Sequence, residues 1–264
     1  MTRLEFLSII PQLPEIYVIY SSLTRAPYLS CEEEYFNKEI NYFDEIIMYV
    51  SQKEAIKKTE ELAKADIPTM VIKVPQSQML QMFSELFTFG IDGVRIHTAD
   101  DVFFFLLSEI VNRPDYSDRP ENERPLENAG VQLSMLYFMQ EVRRKSADRS
   151  SKKLREMEEE MLANILRSKF LIPIREPKEG DTKGELLMVK MNDESMMVPI
   201  FSDGVVLTRF AAGKNLKAIV MDAERLAEMP LPEAANGFLI NPNGVAVPLK
   251  KEYLEKLMPG RGEK

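Results

Sequence analysis

The chain has 264 residues, long for one domain and ample for two. Hydrophobic residues make up 45% and charged residues 29%, which excludes a disordered or fibrous chain. Acidic residues outnumber basic ones 42 to 34, a net charge of −8 that argues against a protein coating nucleic acid, and a single cysteine excludes an internal disulfide or a Cys-rich zinc site.

Sixteen methionines and no tryptophan suit irregular core packing. The opening Met1–Phe6 carries an early acid, and the uninterrupted apolar run Val102–Leu107 is far too short to span a bilayer. The expectation is a cytosolic, soluble chain with no membrane partner.

Residues 1–111 alternate strand and helix signals. Tyr17–Tyr20 and Tyr28–Leu29 are β-prone, with Pro27 at a strand start or edge. Ile46–Val50 is an apolar run ending at Ser51, and Ser51 with Glu54 forms a capping box for a helix that Pro68 stops. Met70–Val74 is the next strand. Ser77–Phe89 follows as a helix with a polar stripe of Gln78, Gln81, Glu85 and Thr88, apolar on its other sides and ended by Gly90. Ile91–Ile96 reads as turn plus strand, and Thr98 with Asp101 predicts a capped apolar helix over Val102–Val111.

Residues 112–150 form the connection. Pro114, Pro120 and Pro125 among polar residues resist regular structure up to Glu127, after which Val131–Val142 reads as a helix and Arg143–Ser150 as an exposed link. A second helix places Leu154, Met157, Met161, Leu162, Ile165 and Leu166 on one face.

Residues 151–264 return to alternating elements. Phe170–Ile174, Leu186–Met191, Met197–Phe201 and Lys217–Met221 read as strands, with Glu176–Asp181 a loop and Val205–Phe210 a helix. Asp222 caps a short helix before Pro230. Gly237–Ile240 and Val245–Val247 form a hairpin across Asn241-Pro242-Asn243-Gly244, and Lys250–Leu257 closes as a helix.

The two flanking regions share a plan. Ile46–Ser51 resembles Met197–Ser202, Met70–Val74 resembles Lys217–Met221, and Asp92–Ile96 resembles Asn236–Ile240. Lys169–Ile174, Val198–Asp203 and Gly237–Pro242 together resemble the SseB family, the enhanced-serine-sensitivity proteins of bacteria. The resemblance covers Ser150–Leu257 well and Ile16–Ile110 only through the repeat. It implies a small mixed α+β domain beside a second one and brings no agreed catalytic residues. The expected fold is α+β, with mixed sheets, packed helices and two weakly repeated SseB-like halves joined by a helical linker.

Each candidate for chemistry has a plainer explanation. His97 is the sole histidine, at a strand-to-helix corner near Asp100 and Asp101, where a surface role outweighs acid–base work. Cys31 precedes Glu32, Glu33 and Glu34, whose charges disfavour a thiolate. Those acids, and Glu156–Glu160, read as solvated carboxylates on a helix or loop. The basic run Arg143–Arg155 contains no aromatic residue for base stacking. No metal, cofactor or catalytic set is expected.

Asp203, Asn241 and Asn243 are the candidate binding residues, because loops after parallel strands gather at one sheet edge. The sequence therefore points to a non-enzymatic protein acting on an unknown protein partner. The alternative is a small-molecule-binding or catalytic protein with its site between the halves.

Overall fold

A computed structural model describes residues 1–36, 39–175 and 184–257. The chain divides into two compact units, Met1–Asp118 with Leu136–Leu154, and Arg119–Met135 with Arg155–Lys264. The class is α+β.

In the first unit, α1 (Arg3–Ile9) precedes β1 (Glu15–Ser21), β2 (Ala26–Pro27), β3 (Leu29–Phe36) and β4 (Glu39–Tyr49). Then come α2 (Gln52–Lys64), β5 (Thr69–Pro75), α3 (Gln76–Leu86), β6 (Gly93–His97), β7 (Val102–Leu106) and α4 (Leu107–Ile110). The strands form one sheet in the order β5–β1–β4–β6–β7, with β2 on β1 and β3 on β4. Within it β4 and β6 run parallel and the other neighbours antiparallel. Parallel pairing needs a crossover, which α2, β5 and α3 supply. Ile16, Val18, Ile46, Met48, Val94, Ile96 and Phe105 are wholly buried at the centre.

Local chemistry explains most of these elements. Ser51 caps α2, its Oγ accepting the Glu54 N–H at 3.5 Å, which is the Ser51 half of the expected capping box. Helix α3 buries one face, Met79, Phe83 and Leu86, at intervals of three and four. Leu80 is 68% exposed and Thr88 is buried, so the helix is less apolar in its surroundings than its composition suggests.

Two expectations fail here. Val102–Val111 is strand β7 followed by one helical turn. Thr98 closes a hairpin, its N–H donating to the Asp101 carbonyl at 2.9 Å and its Oγ1 accepting the Asp101 N–H at 3.0 Å. Phe103, Phe104 and Phe105 then pair across to Ile96, Arg95 and Val94, where aromatic residues favour a pleated surface. The acids Glu32–Glu34 lie on strand β3, neither helix nor loop, in register with Phe43, Tyr42 and Asn41 of β4.

Helices α5 (Ala129–Val142) and α6 (Lys152–Leu166) follow. In the first unit, Gln140 holds Leu29 on both sides, its Oε1 accepting the N–H at 2.9 Å and its Nε2 donating to the carbonyl at 3.2 Å. The link after α5 departs from a purely exposed one. Arg143 Nη1 donates to the Leu23 carbonyl at 2.7 Å, and Arg144 Nη2 to the Ala65 carbonyl at 2.6 Å.

The second unit continues with β8 (Lys169–Arg175), β9 (Glu185–Leu186), β10 (Val189–Lys190), β11 (Met196–Ile200), α7 (Gly204–Ala211) and β12 (Leu216–Asp222). It ends with α8 (Ala223–Glu228), β13 (Ala235–Ile240), β14 (Val247–Lys250) and α9 (Lys251–Leu257). One sheet runs β12–β8–β9 and another β10–β11–β13–β14, joined by a bridge between Leu171 and Phe201. Strands β11 and β13 are parallel, while β13 and β14 are antiparallel. Phe170, Ile172, Val198, Ile200, Phe201, Phe238 and Ile240 are fully buried. Leu186–Met191 is not one strand. Gly184 precedes a short pairing with the end of β8, and Val189–Lys190 turns to a different partner, β11. The loop expected at Glu176–Asp181 lies outside the described residues.

Candidate functional site

Strands β11 and β13 run parallel, so the residues that follow them, Phe201-Ser202-Asp203 and Asn241, emerge at one edge. Asp203 is the N-cap of α7. Its Oδ1 accepts the N–H groups of Val205 and Val206, each at 2.9 Å. Its Oδ2 accepts from Gln132 Nε2 at 2.9 Å and from Ser202 Oγ at 2.8 Å.

Asn241 completes the cluster. Its Oδ1 accepts the Ser202 N–H at 3.1 Å, and its Nδ2 donates to Ser202 Oγ at 2.9 Å and to Gln132 Oε1 at 3.2 Å. Asn128 adds Nδ2 bonds to the carbonyls of Ser202 at 2.8 Å and Lys169 at 2.6 Å. Gln132, Ser202, Asp203 and Asn241 are all 2% exposed or less. Burial on this scale is tolerable because the polar groups satisfy one another.

The network sets the loop after β13. Asn241 has φ of 51°, a left-handed conformation that asparagine accepts more readily than most residues. Its carbonyl accepts the N–H groups of Gly244 at 2.9 Å and Ala246 at 3.1 Å. Of the three sequence candidates, the structure brings Asp203 and Asn241 close around Ser202 but turns both inward. Asn243 alone is exposed.

Gln132 and Asn128 escape the sequence reading. Their signal was present: Asn128, Gln132 and Gln140 recur at multiples of four around a helix otherwise rich in Met, Leu, Tyr and Phe. A polar residue on such a face needs a partner, although the helix alone does not say which.

His97 ends β6, and its ring stacks on Tyr49 with centroids 4.6 Å apart. No hydrogen-bond partner for the ring is found among the described residues. Burial holds its pKa below the ordinary imidazole value, and the charges of Arg95 and Lys58 push the same way. The Tyr49 phenol is pushed up to about 12, first by burial and then by Glu61 and Glu54. Cys31 is exposed on β3, and its thiol is raised by partial burial, then by Asp44 and Glu32.

A second polar cluster lies in the first unit. Glu45 is fully buried and receives Arg95 Nε at 2.5 Å and Nη2 at 3.0 Å, while Glu34 meets the same guanidinium. Tyr137 Oη donates to Asp44 Oδ1 at 2.6 Å. Among the described residues no group of three or more His, Cys, Asp or Glu is placed to hold a metal ion. No helix among them is long and apolar enough to cross a membrane.

Residues 147–256 match the family model of the SseB protein N-terminal domain. That segment is SseB-like. The SseB-like segment contains α6 to α9 and three of the four network residues, Ser202, Asp203 and Asn241, while Gln132 comes from α5 outside the match. No curated protein matches the chain. Among solved structures, Anabaena Tic22, described as a protein of protein transport, is 11% identical, covering 85% of this chain and 84% of its own, with a TM-score of 0.23. Tic22 from Plasmodium falciparum is 13% identical over 96% of each chain, also with a TM-score of 0.23.

Proposed function

We propose that this is a non-enzymatic, cytosolic protein of bacterial SseB type that works by binding another protein. Its contact point is the loop after β13. The observation that carries this reading is the contrast between Asn241 and Asn243. Asn241 is locked into a buried network with Ser202, Asp203 and Gln132, while Asn243, two residues on, faces solvent. A loop held this firmly loses little conformational entropy when a partner docks, which favours recognition. Asp203 and Asn241 brace the loop, and Asn243 makes the contact.

We also propose that the two units are copies of one fold. Support comes from their pairing order. β5–β1–β4–β6–β7 and β12–β8–β11–β13–β14 have the same sequence of antiparallel and parallel neighbours, counting the Leu171–Phe201 bridge. Gly93 and Gly237 add to it. Each faces the last residue of the next strand, Leu106 or Lys250, and a Cβ on either would fall under 3 Å from a carbonyl, that of Phe105 or Leu249.

The test is native co-purification with the full chain, followed by Asn243→Ala and Asp203→Ala. Loss of a partner with Asn243→Ala, at unchanged melting temperature, supports the loop as the contact. A partner that stays bound to both variants removes it.

A further inference from the structure

Two asparagines in the chain are followed by glycine, Asn236 and Asn243, and the fold holds the two pairs differently. Such a pair is chemically reactive. The backbone nitrogen of the second residue can attack the side-chain amide of the first, and glycine has no Cβ to obstruct the approach. Both asparagine side chains are exposed. Asn241 is excluded from this chemistry, since the Pro242 nitrogen has no proton to give up.

Asn236 is the second residue of β13. The register with β11 slips by one residue beside it, but Gly237 stays paired with Lys250 of β14. Gly237 is buried, and a Cβ there would fall 2.4 Å from the Leu249 carbonyl oxygen. Turning the Asn236–Gly237 peptide plane toward the side chain therefore means parting β13 from β14.

Asn243 lies outside any strand, in the turn closed between Asn241 and Gly244. The Gly244 N–H donates to the Asn241 carbonyl at 2.9 Å, and that turn bond is what holds the nitrogen. Gly244 also has room, because a Cβ on it would meet nothing closer than 3.7 Å. Breaking one turn bond at the surface is among the least costly openings of a folded chain, whereas parting strands over a core approaches global unfolding.

We propose that Asn243 is a site of spontaneous deamidation in the folded protein, with Gly244 as the attacking residue and its bond to Asn241 as the brake, and that Asn236 is protected. The Gly244 nitrogen loses its proton to hydroxide and attacks Asn243 Cγ. A C–N bond forms, the bond from Cγ to Nδ2 breaks, and ammonia leaves with a proton taken from water. The product is a cyclic succinimide. Water then opens the ring at either carbonyl, leaving aspartate or isoaspartate. A carboxylate replaces an amide, adding one negative charge to the loop, and the isoaspartate form lengthens the backbone of the turn by a methylene. The consequence for a partner rests on the loop being the contact, as proposed above; the chemistry does not, so either can fail alone.

The experiment incubates the full chain at mildly alkaline pH in heavy-oxygen water, both native and unfolded in urea. Peptide mass spectrometry follows Asn236 and Asn243, with fragment ions separating the two. In the native chain Asn243 should convert at least about tenfold faster than Asn236, and in urea the two rates should agree within about twofold, since one opening is local and the other nearly global. The product should carry a heavy oxygen and appear as two isomers. Gly244→Ala, whose methyl group has space, should slow Asn243 about tenfold by crowding the attacking nitrogen, at unchanged melting temperature. Amide exchange should be faster at Gly244 than at Gly237. Equal rates in the native chain overturn the proposal, because the reaction then proceeds from unfolded molecules. A faster Asn236 overturns it, as does an Asn243 that stays intact in the native chain while urea converts both. Amide loss that ignores Gly244→Ala is direct hydrolysis by water, and overturns the role given to Gly244.

Discussion

Asn241 grips Ser202 at two points, with Oδ1 accepting its backbone N–H at 3.1 Å and Nδ2 donating to its Oγ at 2.9 Å. The two residues are 39 positions apart and follow neighbouring parallel strands. This clamp fixes the path of the loop that carries Asn243, and it makes Asn241 the residue on which the site's rigidity turns.

Asn241→Ala removes three side-chain hydrogen bonds, leaves the buried Ser202 N–H without its acceptor, and places alanine at a φ of 51°. The expected loss is about 2–4 kcal/mol, from an orphaned donor plus left-handed backbone. Urea unfolding monitored by circular dichroism measures it. Asn243→Ala, at an exposed position, should change stability by less than about 0.5 kcal/mol.

Gly93→Ala and Gly237→Ala should both destabilise. A Cβ on Gly93 would lie 2.5 Å from the Phe104 ring and 2.7 Å from the Phe105 carbonyl oxygen. On Gly237 it would lie 2.4 Å from the Leu249 carbonyl oxygen, at a φ of 153°. Each substitution forces backbone movement between paired strands, for a cost of about 2 kcal/mol or more. Comparable losses by denaturant titration fit a shared role in duplicated units. A neutral result at either position counts against that equivalence.

The pH dependence of His97 has a definite sign. Its folded pKa lies below the unfolded value because burial disfavours the charged ring. The unfolded chain therefore binds the proton first, and the His97 contribution to stability is lost as pH falls below about 6.5. His97→Asn should flatten the stability profile between pH 7 and 5 while leaving the fold intact. Thermal melts across that range, run on both proteins, make the comparison.

What could be read in the sequence was what neighbouring residues decide. Ser51 and Asp222 cap their helices because the cap and its N–H donors lie within three residues; Asp203, expected only as a binding residue, caps α7 in the same way. The Asn241–Gly244 turn was legible for the same reason. Strand β3 was not, because Glu32–Glu34 have little strand preference and gain it only beside β4, with Glu34 answered by Arg95 from β6. Val102–Leu106 fits either period, and pairing with β6 decides for strand. The candidate site was half visible. Its strand ends showed that Asp203 and Asn241 would share an edge, but their inward turn depends on Gln132, 71 and 109 residues away.

The most direct measurement is quantitative native co-purification of the full chain against Asn243→Arg, with melting temperatures in parallel. Arginine at this exposed loop position should leave the melting temperature unchanged and should abolish a stoichiometric protein partner. A partner retained in full by Asn243→Arg would contradict the claim that the braced loop after β13 is the contact surface.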